Sequence, residues 1–217
     1  MNDHTPLYAK YLIRLIRPFP DFDFFFIKPF RKRAATLLHL SPGDRVLDLG
    51  CGMGGSFPYL FESVGTNGVI VGVEISPEVI INTRKRIATN QWKNIHIITD
   101  PAQTVHLNGI FDGALMFAAP DVYASPEALK NIMPHIKVSG RVVLFGAKTT
   151  DNRFGKFFNR LLKKSVSKLS FNSTPIPDQK PWELISGYLE NITVEEYFFG
   201  LMFLASGNVK KKNIPPS

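Results

Sequence analysis

The chain is expected to be α/β: a seven-stranded, mostly parallel sheet with helices on both faces and an antiparallel strand pair at its C-terminal end. Three observations predict this. Residues 41–148 alternate short apolar runs with helical patterns, the signature of crossover connections in a parallel sheet. The runs are rich in Val and Ile, as strands covered on both faces are. Near the end, 192–198 and 201–205 read as two strands around Gly200, close enough in sequence to pair antiparallel.

Residues 1–40 form a helical segment that is both basic and aromatic. Leu7, Tyr8, Tyr11, Leu12, Leu15 and Ile16 recur at helical spacing, with Lys10, Arg14 and Arg17 among them. Pro18 and Pro20 end that helix. Phe22, Phe24, Phe25 and Phe26 follow, either as core over the sheet edge or as an acceptor pocket or membrane contact. A second helical pattern runs over 29–40, with Lys28, Arg31, Lys32 and Arg33 early in it.

The main domain is expected over 41–206. Ser41-Pro42-Gly43-Asp44 is a turn, and strand one covers 45–49. A helix through Phe57, Leu60, Phe61 and Val64 precedes strand two at 69–74. Ser76 and Pro77 cap and open the next helix, which runs to about Asn90. Strand three is 95–99, strand four 111–117, a helix 126–135, and strand five 141–145. Over 153–171 Phe154, Phe157, Phe158, Leu161, Leu162, Val166 and Leu169 make an apolar stripe opposite Arg153, Lys156, Arg160, Lys163, Lys164 and Lys168. That stripe either packs on the sheet, with its basic face solvated, or forms a lid that lies on an anionic membrane. A short helix is expected over 181–189, and a disordered basic tail over 207–217.

Length and charge narrow the function. At 217 residues the chain fits one domain with a sizeable core. No apolar run reaches transmembrane length, and nothing resembles a cleavable signal peptide. Cys51 is the only cysteine, so no internal disulfide forms, in keeping with a cytoplasmic protein. It reads as a small residue in a crowded turn rather than as a nucleophile. The five histidines show no metal-ligand spacing, so no metal is expected; His96 reads as structural, and no general base stands out. Residues 41–148 hold nine Lys/Arg and nine Asp/Glu, so the whole net charge of +8 lies in the flanks. Basic flanks point to an anionic surface, membrane or nucleic acid.

The chemistry centres on Arg45-Val46-Leu47-Asp48-Leu49-Gly50-Cys51-Gly52-Met53-Gly54-Gly55. A buried strand runs into a glycine cluster and then a helix, so backbone can approach a ligand without Cβ obstruction. Gly50, Gly52 and Gly55 formally fit G-x-G-x-x-G, the dinucleotide fingerprint. Asp48 argues against a dinucleotide, because its carboxylate repels a pyrophosphate placed on this turn. A ligand carrying an ammonium and a sulfonium suits it instead.

The segment VLDLGCGMG, Val46 to Gly54, resembles motif I of the class I S-adenosylmethionine-dependent methyltransferases. The resemblance covers about 45–148 and implies a Rossmann-like fold with S-adenosylmethionine as cofactor. It implies that Asp48, Gly50, Cys51, Gly52 and Gly54 face the methionine portion. Glu74 would accept from the ribose hydroxyls, Ile75 lie against the adenine, and Asp100 receive the adenine amino group. Pro101 and Phe117 complete the expected cofactor set, and Phe117 to Tyr123 lies where the family meets its acceptor. Ala118-Ala119-Pro120-Asp121 departs from the polar, proline-rich, aromatic pattern of DNA amino-methylating enzymes. Asp121 and Tyr123 read either as acceptor-site residues or as loop surface. From Gly43 to Asp100 the chain looks most like methyltransferases of ubiquinone and menaquinone biosynthesis and phospholipid N-methyltransferases. The expected acceptor is therefore a small amphipathic or lipid-like molecule, with an enzyme that is cytoplasmic or peripheral on the inner face of a membrane. An RNA methyltransferase, or a basic nucleic-acid-binding protein, is the competing reading. Large apolar residues interleaved with the basic ones weigh against it.

Overall fold

The computed structural model describes residues 27–151 and 180–211. The expected helix at 7–17, the phenylalanine run at 22–26 and the amphipathic helix at 153–171 lie outside those residues.

In chain order the elements are α1 Lys28–Leu37, β1 Arg45–Leu49, α2 Phe57–Val64, β2 Val69–Val73, α3 Pro77–Thr89, β3 Ile95–Ile98 and β4 Phe111–Phe117. They continue with α4 Pro120–Tyr123, α5 Pro126–Ile132, β5 Ile136–Ala147, α6 Glu183–Ser186, β6 Leu189–Tyr197 and β7 Met202–Val209. The seven strands lie in the order β3-β2-β1-β4-β5-β7-β6. Strands β1 to β5 are parallel, and β7 runs antiparallel between β5 and β6. From β1 the chain moves outward to β2 and β3, then crosses back to β4 beside β1. That reversal opens a crevice at the carboxyl ends of β1 and β4, where ligands bind in open α/β sheets.

Two cores flank the sheet because successive strand residues point to opposite faces. Val46, Ile70, Leu115 and Val143 face Ala34, Ala35 and Leu38 of the α1 region and Phe57, Leu60 and Val64 of α2. Leu47, Leu49, Ala114, Met116 and Leu144 face Leu129 and Ile132 of α5 together with Ile185 of α6. Truncating a side chain such as Leu60, which is fully buried, should cost about 2–5 kcal/mol. Helix starts follow the expected chemistry. The Ser76 hydroxyl accepts from Val79 N at 3.5 Å, with Pro77 at the first helical position. Ser125 does the same for Ala128 N at 3.2 Å, with Pro126 behind it.

The structure corrects several boundaries. Strand β5 begins at Ile136 rather than 141, because Ile136 pairs with Phe111 across a bulge. The helix expected over 126–135 stops at Ile132, and Met133–His135 tightens into a 3₁₀ turn around Pro134. The helix expected over 181–189 is one turn, since Leu189 already pairs with Val209 as strand. The tail was expected from 207, but Gly207 to Val209 complete β7, with Gly207 opposite Val142 of β5. Nor do residues 27–40 stand apart from the main domain, because Ala34, Ala35 and Leu38 belong to its core.

Candidate functional site

Strand β1 places Asp48 on the same face as Val46, under α1 and α2, and only 1% of it is exposed. The chain then turns sharply. Gly50 and Gly52 have φ of +66° and +53°, and Gly54 has +73°. A Cβ on Gly50 would lie 2.7 Å from the Ala119 Cβ, so only glycine lets the β1 and β4 loops close on each other. Gly50 N and Cys51 N both donate to Val73 O, at 2.9 and 3.1 Å, which ties the turn to the end of β2. Thr83 of α3 donates to Gly52 O at 2.7 Å.

A cavity of about 200 Å³ opens over this turn. Of the expected residues it gathers Asp48, Gly50, Cys51, Gly52 and Phe117. Glu74 is joined to it through the backbone: one carboxylate oxygen accepts from Gly52 N at 3.0 Å, the other from Ser76 N at 2.9 Å. Gly54 shapes the turn from behind, where the Phe57 ring occupies the space a Cβ would take. Ile75 is half exposed just past β2. Asp100 accepts from Thr104 at 3.4 Å and Pro101 O accepts from Thr104 N and Val105 N; neither residue lines the cavity.

Sequence reasoning missed Arg31, Met53, Gly55 and Arg86, which also line it. Arg31 comes from α1, where residues 31, 34, 35 and 38 share one face. The last three are buried in the core, so the first is turned inward with them. Its Nη1 donates to Ser56 Oγ at 2.9 Å, and its guanidinium carbon lies 4.3 Å from the centre of the Phe117 ring. The 3.6-residue spacing of Arg31 with Ala34 and Ala35 was the available signal; the neighbouring Lys28, Lys32 and Arg33 concealed it.

The electrostatics set this turn apart. Neither carboxylate oxygen of Asp48 has a hydrogen-bond partner among the described residues. Burial pushes its pKa up to about 7, Arg31 opposes the shift, and Glu74 adds to it. Burial also raises Glu74, against the backbone N–H groups that hold its charged form, and Asp121 contributes to the rise. Asp121 is itself raised by burial. The Cys51 thiol is pushed well above its usual range by burial and by the two acids, so it is not a ready nucleophile. Tyr123 is not acceptor-loop surface. It is core, edge-to-face with Phe203 at 6.0 Å, and burial raises its pKa. His96 lies exposed on β3, and His106 is exposed beyond that strand. Among the described residues no group of three or more His, Cys, Asp or Glu is placed to hold a metal ion.

A family model for a methyltransferase domain matches residues 40–170. Demethylmenaquinone methyltransferase of Symbiobacterium thermophilum is 30% identical over 123 residues, which is 55% of this chain and 49% of that protein. Demethylmenaquinone methyltransferase of Bacillus cereus is 23% identical over 201 residues, 83% of this chain and 84% of that protein. Other relatives are named for protein and rRNA methylation. In the more identical matches the chain spans about half of the relative's length or less. Among solved structures, the N-methyltransferase NodS from Bradyrhizobium japonicum with S-adenosyl-L-homocysteine has a TM-score of 0.68 at 13% identity, covering 94% of this chain and 99% of that one. At that identity the likeness is one of fold.

Proposed function

The chain belongs to the methyltransferase-domain family, of the class I, S-adenosylmethionine-dependent kind, and we propose that it transfers a methyl group to a small, amphipathic or lipid-like acceptor such as a quinone or phospholipid. The observation that carries the cofactor half of this reading is Asp48, a buried carboxylate at the cavity whose oxygens accept no hydrogen bond from any of the described residues. Such a group is costly unless a cation meets it. The cofactor's ammonium is that cation.

The rest of the turn fits the same ligand. The backbone bonds from Gly52 and Ser76 fix the Glu74 carboxylate, and each oxygen keeps a lone pair for a ribose hydroxyl. At about 200 Å³ the cavity is smaller than the roughly 300–1,000 Å³ of most ligand pockets, so it encloses the methionine half. Ile75, half exposed, offers an apolar surface for the adenine beyond it, with Asp100 and Pro101 at the next strand end. When bound, S-adenosylmethionine supplies a methyl group already activated on a sulfonium. What the protein must add is alignment and exclusion of water, which proximity alone rewards strongly. Phe117, 5% exposed and stacked on Phe145 at 4.2 Å, walls the cavity on its β4 side.

Two features support the acceptor class. Phe30 packs against Phe145, Tyr197 and Phe198 at 5.3, 4.8 and 6.0 Å, so a row of aromatic side chains, buried at Phe145, runs from beside the cavity wall to the β6–β7 hairpin. Phe198 is half exposed there. The demethylmenaquinone methyltransferases among the relatives are named for an acceptor of this kind. The basic, apolar-interleaved sequence of 153–171 supports contact with an anionic membrane surface. Among the described residues no helix is long and apolar enough to cross a membrane. The test is incubation of cell extracts with methyl-labelled S-adenosylmethionine. Label in the organic-soluble fraction is expected; label confined to RNA or protein would overturn the acceptor class.

A further inference from the structure

We propose that Arg31 binds the methionine carboxylate of S-adenosylmethionine, so that Arg31 and Asp48 together read the amino-acid zwitterion of the cofactor; this rests on the cofactor reading above. The family match begins at residue 40, and nothing in it assigns a role to α1.

The argument starts from placement. Arg31 lies on the inward face of α1, with Ala34 and Ala35 one turn on. Small residues there let the helix settle closely on β4 and β5, and Arg31 in its first turn lies over Phe117 at the end of β4. The Phe117 ring beneath the guanidinium and the Ser56 hydroxyl beside it restrict where that group can go. A basic residue that served only solubility would not be held between a buried ring and a buried serine. Arg31 is close enough to Asp48 to pull its pKa down against burial.

The chemistry then follows from the ligand. Its ammonium and carboxylate sit on one carbon, so the groups that read them must be neighbours of opposite charge. Asp48 and Arg31 are such neighbours, both lining the cavity. Without Arg31, a carboxylate brought beside Asp48 would lack the basic group whose charge acts at that point of the cavity. The planar guanidinium also suits a carboxylate better than an ammonium does, because it offers paired donors. Arg86 lines the cavity too, but it does not figure among the charges acting on Asp48.

The experiment compares S-adenosylmethionine with its decarboxylated analogue by calorimetry, on wild type, Arg31→Gln, Arg86→Gln and the exposed control Lys32→Gln. Wild type should bind S-adenosylmethionine about tenfold to a hundredfold more tightly than the analogue, as a charge-assisted contact requires. Arg31→Gln should bind the two alike, while Lys32→Gln and Arg86→Gln keep the preference. Equal binding by wild type, which needs no variant to fold, overturns the assignment. So does a preference lost in Arg86→Gln and kept in Arg31→Gln. Failure of wild type to bind either ligand would overturn the cofactor reading itself, a different result from equal binding.

Discussion

Asp48→Asn should flatten the pH dependence of stability in one window and leave it elsewhere. Folded, the Asp48 carboxyl holds its proton to about pH 7; its ordinary value is 3.8. Between those values the folded state carries a proton that the unfolded chain has released. Stability must therefore fall as pH rises through the window, and level off above it. A shift of this size corresponds to on the order of 4 kcal/mol, lost between about pH 4 and pH 7. Glu74 and Asp121 are also raised by burial and slope the same way, so the absolute curve mixes all three. The difference between wild type and Asp48→Asn isolates one group. Urea unfolding at half-unit steps from pH 4.5 to 8 measures it. The expected difference grows steadily in favour of the variant up to about pH 7 and is then constant. Parallel curves would mean that Asp48 does not titrate as a buried, unpartnered acid. A linked effect follows in wild type alone: an ammonium docking on Asp48 should expel its proton. Cofactor binding near pH 6.5 should then show a heat that depends on the buffer's ionisation enthalpy.

Glu74→Ala should weaken S-adenosylmethionine binding by about 1–3 kcal/mol in calorimetry; because the same carboxylate accepts from Gly52 N and Ser76 N, the melting temperature should also fall while the transition stays cooperative. Gly50→Ala should cost roughly 1–3 kcal/mol in chemical unfolding, because its Cβ would meet Ala119 and its φ is positive; Gly43→Ala, with open space around it, should suffer only the backbone term. Co-sedimentation with vesicles of rising anionic content should fall for Lys163→Glu/Lys164→Glu; equal sedimentation of wild type and variant would remove the membrane role of 153–171.

Local chemistry was readable from the sequence; what tertiary packing decides was not. β1 and β4 were legible to the residue because short, mostly apolar runs bounded by turns leave a buried strand little choice. That Asp48, Gly50 and Gly52 would meet at one turn, with Glu74 at the end of the next strand, was legible because each is a strand end or the turn just after it. The early half of β5 escaped notice because Lys137, Ser139 and Gly140 break the apolar pattern there and leave Val138 isolated. Leu189 and Val209 were missed for a related reason: each becomes strand by pairing with the other across the sheet edge. Arg31 is the clearest case. It stands 17 residues before Asp48 in sequence, and only the packing of α1 through Ala34 and Ala35 brings it to the cavity. A charge count placed it with the basic flank, read as facing an anionic surface.

Calorimetric titration of the whole chain with S-adenosylmethionine, repeated with excess NAD present, decides whether the turn after β1 is built for a sulfonium amino acid or for a pyrophosphate. A dissociation constant in the micromolar range is expected, about −7 to −8 kcal/mol, unchanged by NAD. Binding of NAD with none of S-adenosylmethionine would contradict the assignment of Asp48 and of the site built around it.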